Sequence, residues 1–185
     1  MKSLLIILSL LVLAFSTEYE LSYEDGTCQT IYGVGDDVMQ NLRVRFTPTS
    51  QVIGLHLTKG KVYWHTVSGG SDLNFHFNVY DPDSGFSENS QTYTANNLTQ
   101  WLSYDISSTG YIASANDFYL ATISESGNVG MSGSSQPPID LRSAWQSLSY
   151  PDWMPINNCD LCLRAIFDAV AVEPISLGNI RAIYR

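Results

Sequence analysis

The chain has 185 residues, with 9 lysines and arginines against 18 aspartates and glutamates, and its formal net charge is −9. This acidic balance argues against anionic partners, so we expect no binding to nucleic acids or to acidic membrane surfaces. The length allows one domain with a sizeable hydrophobic core and leaves too little chain for two.

The first 16 residues predict a secretory signal peptide. Lys2 precedes a largely apolar run from Leu4 to Phe15, and small residues at Ala14 and Ser16 suit a cleavage site. The run is too short to cross a bilayer, which requires about 20 apolar residues, and no later segment is long and apolar enough. We therefore expect an exported protein, secreted or held at the cell surface, with no membrane span.

Short segments with alternating apolar and polar residues follow one another along the mature chain. They cover residues 19–23, 28–32, 38–46, 52–57, 61–67, 73–80, 92–94, 98–106, 111–113, 117–123, 145–150 and 159–167. In residues 73–80 every second side chain is apolar, which is the pattern of a half-buried strand, namely Leu73, Phe75, Phe77 and Val79. The Gly- and Ser-rich residues 68–72 predict that this strand forms a hairpin with residues 61–67.

Two stretches are predicted as loops, residues 81–89 and the Gly-, Ser- and Pro-rich residues 124–138. Turn sequences recur about every 8 to 12 residues, and no segment has a helical period. Connections this short exclude helical crossovers, so the strands are expected to be antiparallel. The predicted fold class is all-β: a two-sheet antiparallel, jelly-roll-like β-sandwich of about ten short strands over residues 17–168. Residues 169–185 are predicted as a C-terminal linker or an extra edge strand.

The three cysteines, Cys28, Cys159 and Cys162, allow at most one internal disulfide. Cys159 and Cys162 are three residues apart in a predicted strand, which places them on opposite faces and roughly 10 Å apart. A disulfide requires Cα atoms within about 7 Å. We therefore expect Cys28 to pair with Cys159 or Cys162 if the first and last strands are neighbours, and otherwise three unpaired thiols.

Landmark sequences over residues 18–168 resemble the β-sandwich accessory domains of large secreted and cell-surface bacterial proteins. In chain order they are LSYEDGT at 21–27, VRFTP at 44–48, FNVYD at 77–81, WLSYDI at 101–106, DFYL at 117–120, LRS at 141–143, Trp153 and LRAI at 163–166. The resemblance implies a jelly-roll sandwich that accompanies extracellular modules such as peptidases, often ahead of a C-terminal sorting segment. It implies no defined activity for the domain itself.

Aromatic residues provide the candidate ligand-binding site, because sugar rings stack on exposed aromatic faces while polar side chains bind their hydroxyls. Trp101 shares a strand face with Asp105, opposite the apolar side chains, and is expected to be exposed. Trp145, Tyr150 and Trp153 follow the long loop and are predicted to form a second patch. The alternative is that these rings fill or cap the core, and for Trp153, a landmark of the resemblance, we prefer that alternative.

Carboxylates in the predicted 81–89 loop form a calcium candidate. Asp81, Asp83 and Glu88 lie where several hard oxygen ligands can converge, as do residues 36 and 37. The sequence DPDSG at 81–85 is also a favourable turn, and we prefer that interpretation, with no other cofactor expected. His65 and His76 would face each other across the predicted hairpin, but no carboxylate or cysteine has a metal-ligand spacing with them. We predict no catalytic site.

These observations predict a secreted, non-catalytic binding or adhesion module. An extracellular polysaccharide is the favoured partner, and another surface protein is the alternative partner. A structural subunit of a surface layer or filament, self-associating through sheet edges, is the second hypothesis, and a hydrolase is the third.

Overall fold

The computed structural model describes residues 17–24, 26–33, 40–65, 72–83, 85–96, 99–126, 129–134, 142–147 and 149–168. The predicted signal peptide and the predicted C-terminal linker lie outside the described residues. Within them the chain forms fourteen strands and one short 3₁₀ helix, Ser107–Thr109. The predicted all-β class is confirmed.

The strands are short, and several of them alternate in burial. They are β1 (Glu18–Leu21), β2 (Thr30–Gly33), β3 (Gln40–Phe46), β4 (His56–His65), β5 (Leu73–Asp81), β6 (Gly85–Glu88), β7 (Tyr93–Ala95), β8 (Gln100–Asp105), β9 (Phe118–Ser126), β10 (Gly130–Ser134), β11 (Ser143–Ser147), β12 (Met154–Pro155), β13 (Asp160–Leu161) and β14 (Leu163–Asp168).

The strands form two antiparallel sheets of seven strands each. In the first sheet β4 lies between β14 and β8, and β1 pairs with the other side of β14. One end of β4 also pairs with β10. β10 in turn pairs with β2 and β13. The second sheet has the order β12, β11, β3, β9, β5, with β6 and β7 both paired to β5. The series β1-β14-β4-β8 and β3-β9-β5-β6 give the strand order of a jelly roll. The predicted two-sheet sandwich is therefore confirmed.

The core lies between the two sheets and is rich in aromatic rings. The predicted inward set Leu73, Phe75, Phe77 and Val79 is fully buried. Trp64 of the first sheet contacts Phe75 of the second, with ring centroids 4.9 Å apart. Gly60 permits this close approach of the sheets, because a Cβ atom there would lie 2.6 Å from the Phe77 ring.

The predicted hairpin between residues 61–67 and 73–80 is wrong. β4 pairs with strands of the first sheet, and β5 pairs with strands of the second. The chain therefore crosses from one sheet to the other between these two strands. Alternation determines which face of a strand is buried, but a short Gly-rich connection suits a change of sheet as well as a hairpin.

Both predicted loops contain strands. Residues 81–89 include β6, and residues 124–138 include the end of β9 and all of β10, whose five residues are buried. The glycines and serines of β10 allow this close packing. Gly133 lies so close to Cys159 that a Cβ atom at Gly133 would be 2.4 Å from the Cys159 Sγ. Conversely, residues 51–54 form a turn where a strand was predicted.

Candidate functional site

A cleft of about 390 Å³ lies on the outer face of the second sheet. Strands β3, β5, β6 and β9 supply most of its lining, and the segment before β12 supplies the rest. The lining residues are Arg43, Asn78, Tyr80, Phe86, Tyr119, Ala121, Ile123 and Trp153. They point outward because their strand neighbours, such as Leu42 and Val44, are buried in the core.

Cross-strand register places the polar floor of the cleft. Ala121 pairs with Arg43 on one side and with Asn78 on the other, so these three residues form one row across the sheet. The small Ala121 side chain leaves open space between the two longer polar ones. In the next row Tyr80 pairs with both Tyr119 and Phe86, which gives an aromatic wall.

Arg43 is held by aromatic rings. Its guanidinium carbon lies 4.3 Å from the centre of the Tyr119 ring and 4.2 Å from that of Trp153, both within cation–π range. Burial lowers the pKa of Arg43 from its ordinary value, yet an arginine side chain stays protonated in proteins. The cleft therefore contains a fixed positive charge.

Two polar atoms at the floor lack partners among the described residues. The Nε of Arg43 and the Oδ1 of Asn78 are buried, and neither has a hydrogen-bond partner. Buried polar groups in folded proteins are normally hydrogen-bonded, so each such exception calls for a physical explanation. One is a donor and the other an acceptor, and both belong to side chains that line the same cleft. A polar ligand with both a donor and an acceptor would match these two atoms.

Exposed rings flank the polar floor. The side chain of Tyr80 is 44% exposed and that of Phe86 is 60% exposed, whereas Trp153 is half-buried over Arg43. The rings of Tyr80 and Tyr119 are adjacent, with centroids 6.1 Å apart. The cleft thus offers aromatic faces beside unpartnered hydrogen-bonding groups, the combination typical of small-ligand sites.

His76 and two carboxylates lie beside Asn78 at one end of this face. The Nδ1 of His76 is 2.8 Å from Glu125 Oε1, and its Nε2 is 3.6 Å from Glu88 Oε1. Spacing along the chain did not indicate these partners, because they arrive from β9 and β6 through strand pairing. Among the described residues, no group of three His, Cys, Asp or Glu side chains is arranged to hold a metal ion.

Two of the predicted ligand-binding residues, Trp101 and Asp105, lie on β8 in the first sheet, away from this cleft. The Arg164 guanidinium carbon lies 3.9 Å from the centre of the Trp101 ring, and Tyr63 packs edge-on against the same ring at 5.7 Å. Asp105 is exposed, and hydrogen bonds from Ser107 hold its pKa below the ordinary value. Trp101 is therefore already stacked on a side chain of its own protein.

The other three predicted residues do not form a single patch. Trp145 packs against the hydrophobic core, and exposed Tyr150 meets it edge-on with centroids 5.5 Å apart. Trp153 alone among the five lines the cleft, where it covers Arg43. The structure brings no two of the predicted tryptophans together.

The three calcium candidates do not converge. The Oδ1 of buried Asp81 accepts the backbone N–H of Asp83 at 2.8 Å, as the turn interpretation expects. Its Oδ2 accepts hydrogen bonds from Tyr111 at 3.1 Å and from Ser114 at 3.2 Å. Glu88 pairs with Asn78 of the neighbouring strand. Asn78 is three residues from Asp81 along β5, so Glu88 lies about 10 Å from Asp81. Residues 36 and 37 lie outside the described part of the chain.

A disulfide joins Cys28 to Cys162, with Cα atoms 6.0 Å apart. Cys162 lies at the bend between β13 and β14, so the predicted single strand over residues 159–167 is interrupted there. This pairing was expected only if the first and last strands are neighbours, and they are. β1 pairs with β14, and β2 and β13 both pair with β10. Cys159 is a buried thiol outside the disulfide.

Seven of the eight cleft residues were not predicted as site residues; only Trp153 was. Those on predicted strands had no signal beyond their place on an alternating strand, which many surface residues share, and Phe86 lay in a predicted loop and gave no signal at all. What distinguishes them is the order β3, β9, β5, β6, and alternation does not determine strand order.

In the part of the chain that the structure describes, no helix is long and apolar enough to cross a membrane. No protein-family model matches the chain, and no curated protein or solved structure matches it. The fold and the cleft therefore carry the functional argument.

Proposed function

We propose that the protein is a non-catalytic module that binds a saccharide in the cleft on the second sheet. The observation that carries this proposal is the pair of unpartnered buried atoms, Arg43 Nε and Asn78 Oδ1, in a cleft lined by exposed rings. A sugar has an apolar C–H face and a periphery of hydroxyls that both donate and accept hydrogen bonds. The rings of Phe86 and Tyr80 match the C–H face, and the polar groups of Arg43 and Asn78 match the hydroxyls.

The size of the cleft is consistent with a small part of a longer glycan. Its volume of about 390 Å³ is near the lower end of the roughly 300–1,000 Å³ typical of small-ligand pockets. One or two sugar residues would occupy it while the rest of the polymer runs over the sheet. A polysaccharide on a cell surface or in the extracellular medium is therefore the proposed partner.

Export is part of the proposal. The signal-like residues 1–16 support it, as does the resemblance to secreted bacterial accessory domains. The Cys28–Cys162 disulfide also supports it, because such bonds persist in oxidising compartments and are rare in reducing ones. We propose a secreted or surface-held domain that attaches itself, or a neighbouring protein, to glycan.

The test is retention of the protein on a panel of insoluble and soluble polysaccharides, measured by pull-down and affinity electrophoresis. Phe86→Ala is the informative variant, because its side chain is 60% exposed and its loss leaves the core intact. We expect about tenfold weaker binding, equivalent to roughly 1.4 kcal/mol for one lost aromatic platform.

Tyr150→Ala is the matched control, since Tyr150 is 57% exposed and lies outside the cleft. It should bind like the wild type, and so should Trp101→Ala. A variant pattern in which Trp101→Ala loses binding and Phe86→Ala does not would place the site on the first sheet. Absence of retention on every glycan would rule out the function itself.

A second candidate function is assembly through a sheet edge. Among the described residues, β8 is paired with β4 only. An edge strand of this kind can accept a strand from another copy or another protein. Light scattering over a range of concentrations tests this alternative, and deletion of residues 169–185 tests whether that segment is the donated strand. A monomer at all concentrations would exclude self-assembly.

A further inference from the structure

Arg43 is exceptional among the basic side chains of the described residues. Four of the others contact carboxylates: Arg45, Lys59, Lys61 and Arg164. The remaining one, Arg142, donates hydrogen bonds to the Arg45 carbonyl and the Thr47 hydroxyl. Arg43 has only aromatic contacts, and no hydrogen bond or ion pair of its side chain exists within the described residues.

An uncompensated, partly buried cation is costly. Removing a guanidinium from water carries a penalty that is normally offset by a paired carboxylate and a full set of hydrogen bonds. The two cation–π contacts offset part of this penalty, but they leave the buried Nε–H of Arg43 without a hydrogen-bond partner within the described residues. The protein carries a formal charge of −9, so acidic side chains are plentiful, yet within the described residues no carboxylate forms an ion pair with Arg43.

We propose that the cleft is selective for an acidic saccharide, a uronate-bearing polysaccharide whose carboxylate pairs with Arg43. This inference rests on the proposed function and names its substrate class. The two rings lie against the guanidinium at stacking distance and its Nε is buried, so the terminal Nη edge is the part left to a ligand. A planar carboxylate matches that edge with two parallel hydrogen bonds. The sugar ring then reaches the exposed Phe86 and Tyr80, and Asn78 accepts from a hydroxyl.

The acidic residues on the same face set the direction of the ligand. Glu88 pairs with Asn78 across the strands and lies near His76, so negative charge lies at the end of the polar row opposite Arg43. An acidic group is repelled there and attracted at Arg43. The site therefore fixes a uronate with its carboxylate toward Trp153 and its less charged edge toward Glu88.

The experiment compares four probes with related backbones or charges: polygalacturonate, its methyl ester, a neutral galactan and dextran sulfate. Affinity is measured by calorimetry and affinity electrophoresis at low and high salt. We expect at least tenfold tighter binding of polygalacturonate than of its methyl ester, and a preference that weakens as salt is raised.

Arg43→Met keeps an unbranched apolar side chain at this position and removes the charge. It should abolish the preference for polygalacturonate over the methyl ester, and Arg43→Lys should recover it only in part, because lysine lacks the planar fork. Lys59→Met removes one charge from the other sheet, where Lys59 pairs with Glu18, and should leave the preference unchanged. Phe86→Ala should weaken binding of the ester and the acid by similar factors.

The outcomes are distinguishable. Equal binding of acid and methyl ester by the wild type, lost in Phe86→Ala, would overturn the acidic selectivity and leave the saccharide site standing. Binding of dextran sulfate without polygalacturonate would overturn the carboxylate in favour of a sulfate. A preference for acid that survives in folded Arg43→Met and Arg43→Lys proteins would overturn the role of Arg43. No binding of any probe would overturn the proposed function as well.

Discussion

Removal of the Cys28–Cys162 cross-link should cost this domain much of its stability. The two cysteines are separated by 134 positions, and closing a loop of that length removes enough entropy from the unfolded chain to stabilise the fold by about 5 kcal/mol. Native disulfides removed from small domains typically cost about 2–5 kcal/mol, so we expect a loss toward the upper end of that range. A typical domain is stable by only about 5–15 kcal/mol.

The assay is equilibrium unfolding in urea, followed by tryptophan fluorescence, since Trp64 is fully buried. Oxidised wild type is compared with reduced wild type, which loses the cross-link but no atoms, and with the Cys28→Ala/Cys162→Ala double variant. Cys159→Ala is the matched control, because it removes one buried sulfur and no cross-link. It should lose about 1 kcal/mol or slightly more. A reduced wild type within about 1 kcal/mol of the oxidised form would refute the reasoning.

Three further predictions concern buried carboxylates. Chelator should leave the melting temperature unchanged, because both oxygens of Asp81 already accept hydrogen bonds from the protein; a calcium-dependent rise would show that a site exists. Asp81→Ala should cost about 1–3 kcal/mol, measured by urea unfolding, since it strands the buried Tyr111 hydroxyl. Burial raises the pKa of Glu24 above its ordinary 4.5, despite the attraction of Arg164. The folded state then holds this proton more tightly than the unfolded state, so the contribution is present below pH 4.5 and is lost as the pH rises through the folded-state pKa. Stability of the wild type relative to Glu24→Gln should fall over that interval, and an opposite slope in pH-dependent unfolding would contradict the assignment.

Local alternation predicted burial well. The inward set on β5 is buried as expected, and on β3 the alternating side chains Leu42, Val44 and Phe46 are buried as well. The reason is that successive side chains on a strand point to opposite faces, so the apolar side must be the core side whatever the partner strand.

The same pattern did not predict pairing. β4 and β5 are adjacent in the chain and both alternate, yet they belong to different sheets. β10 was not predicted as a strand, because its glycines and serines resemble a loop sequence. The crowding at Gly133 shows that small residues are needed there.

Exposure of aromatic rings depended on contacts that are distant in the chain. Trp101 occupies a polar strand face, as predicted, but the side chain of Arg164 from β14 lies over its ring. Trp153 has no strand pattern to assign its face, and its place over Arg43 follows from the position of β12 at the sheet edge.

The sequence by itself determined that this chain is a two-sheet antiparallel sandwich, and it limited any disulfide to two pairings, because turn spacing, side-chain alternation and cysteine spacing are local properties. Only the tertiary structure decided where the cleft lies. Arg43 and Asn78 lie on strands that are separated in the chain and joined through Ala121 of β9. The cleft therefore arises from strand order, which depends on long-range packing that no single segment encodes.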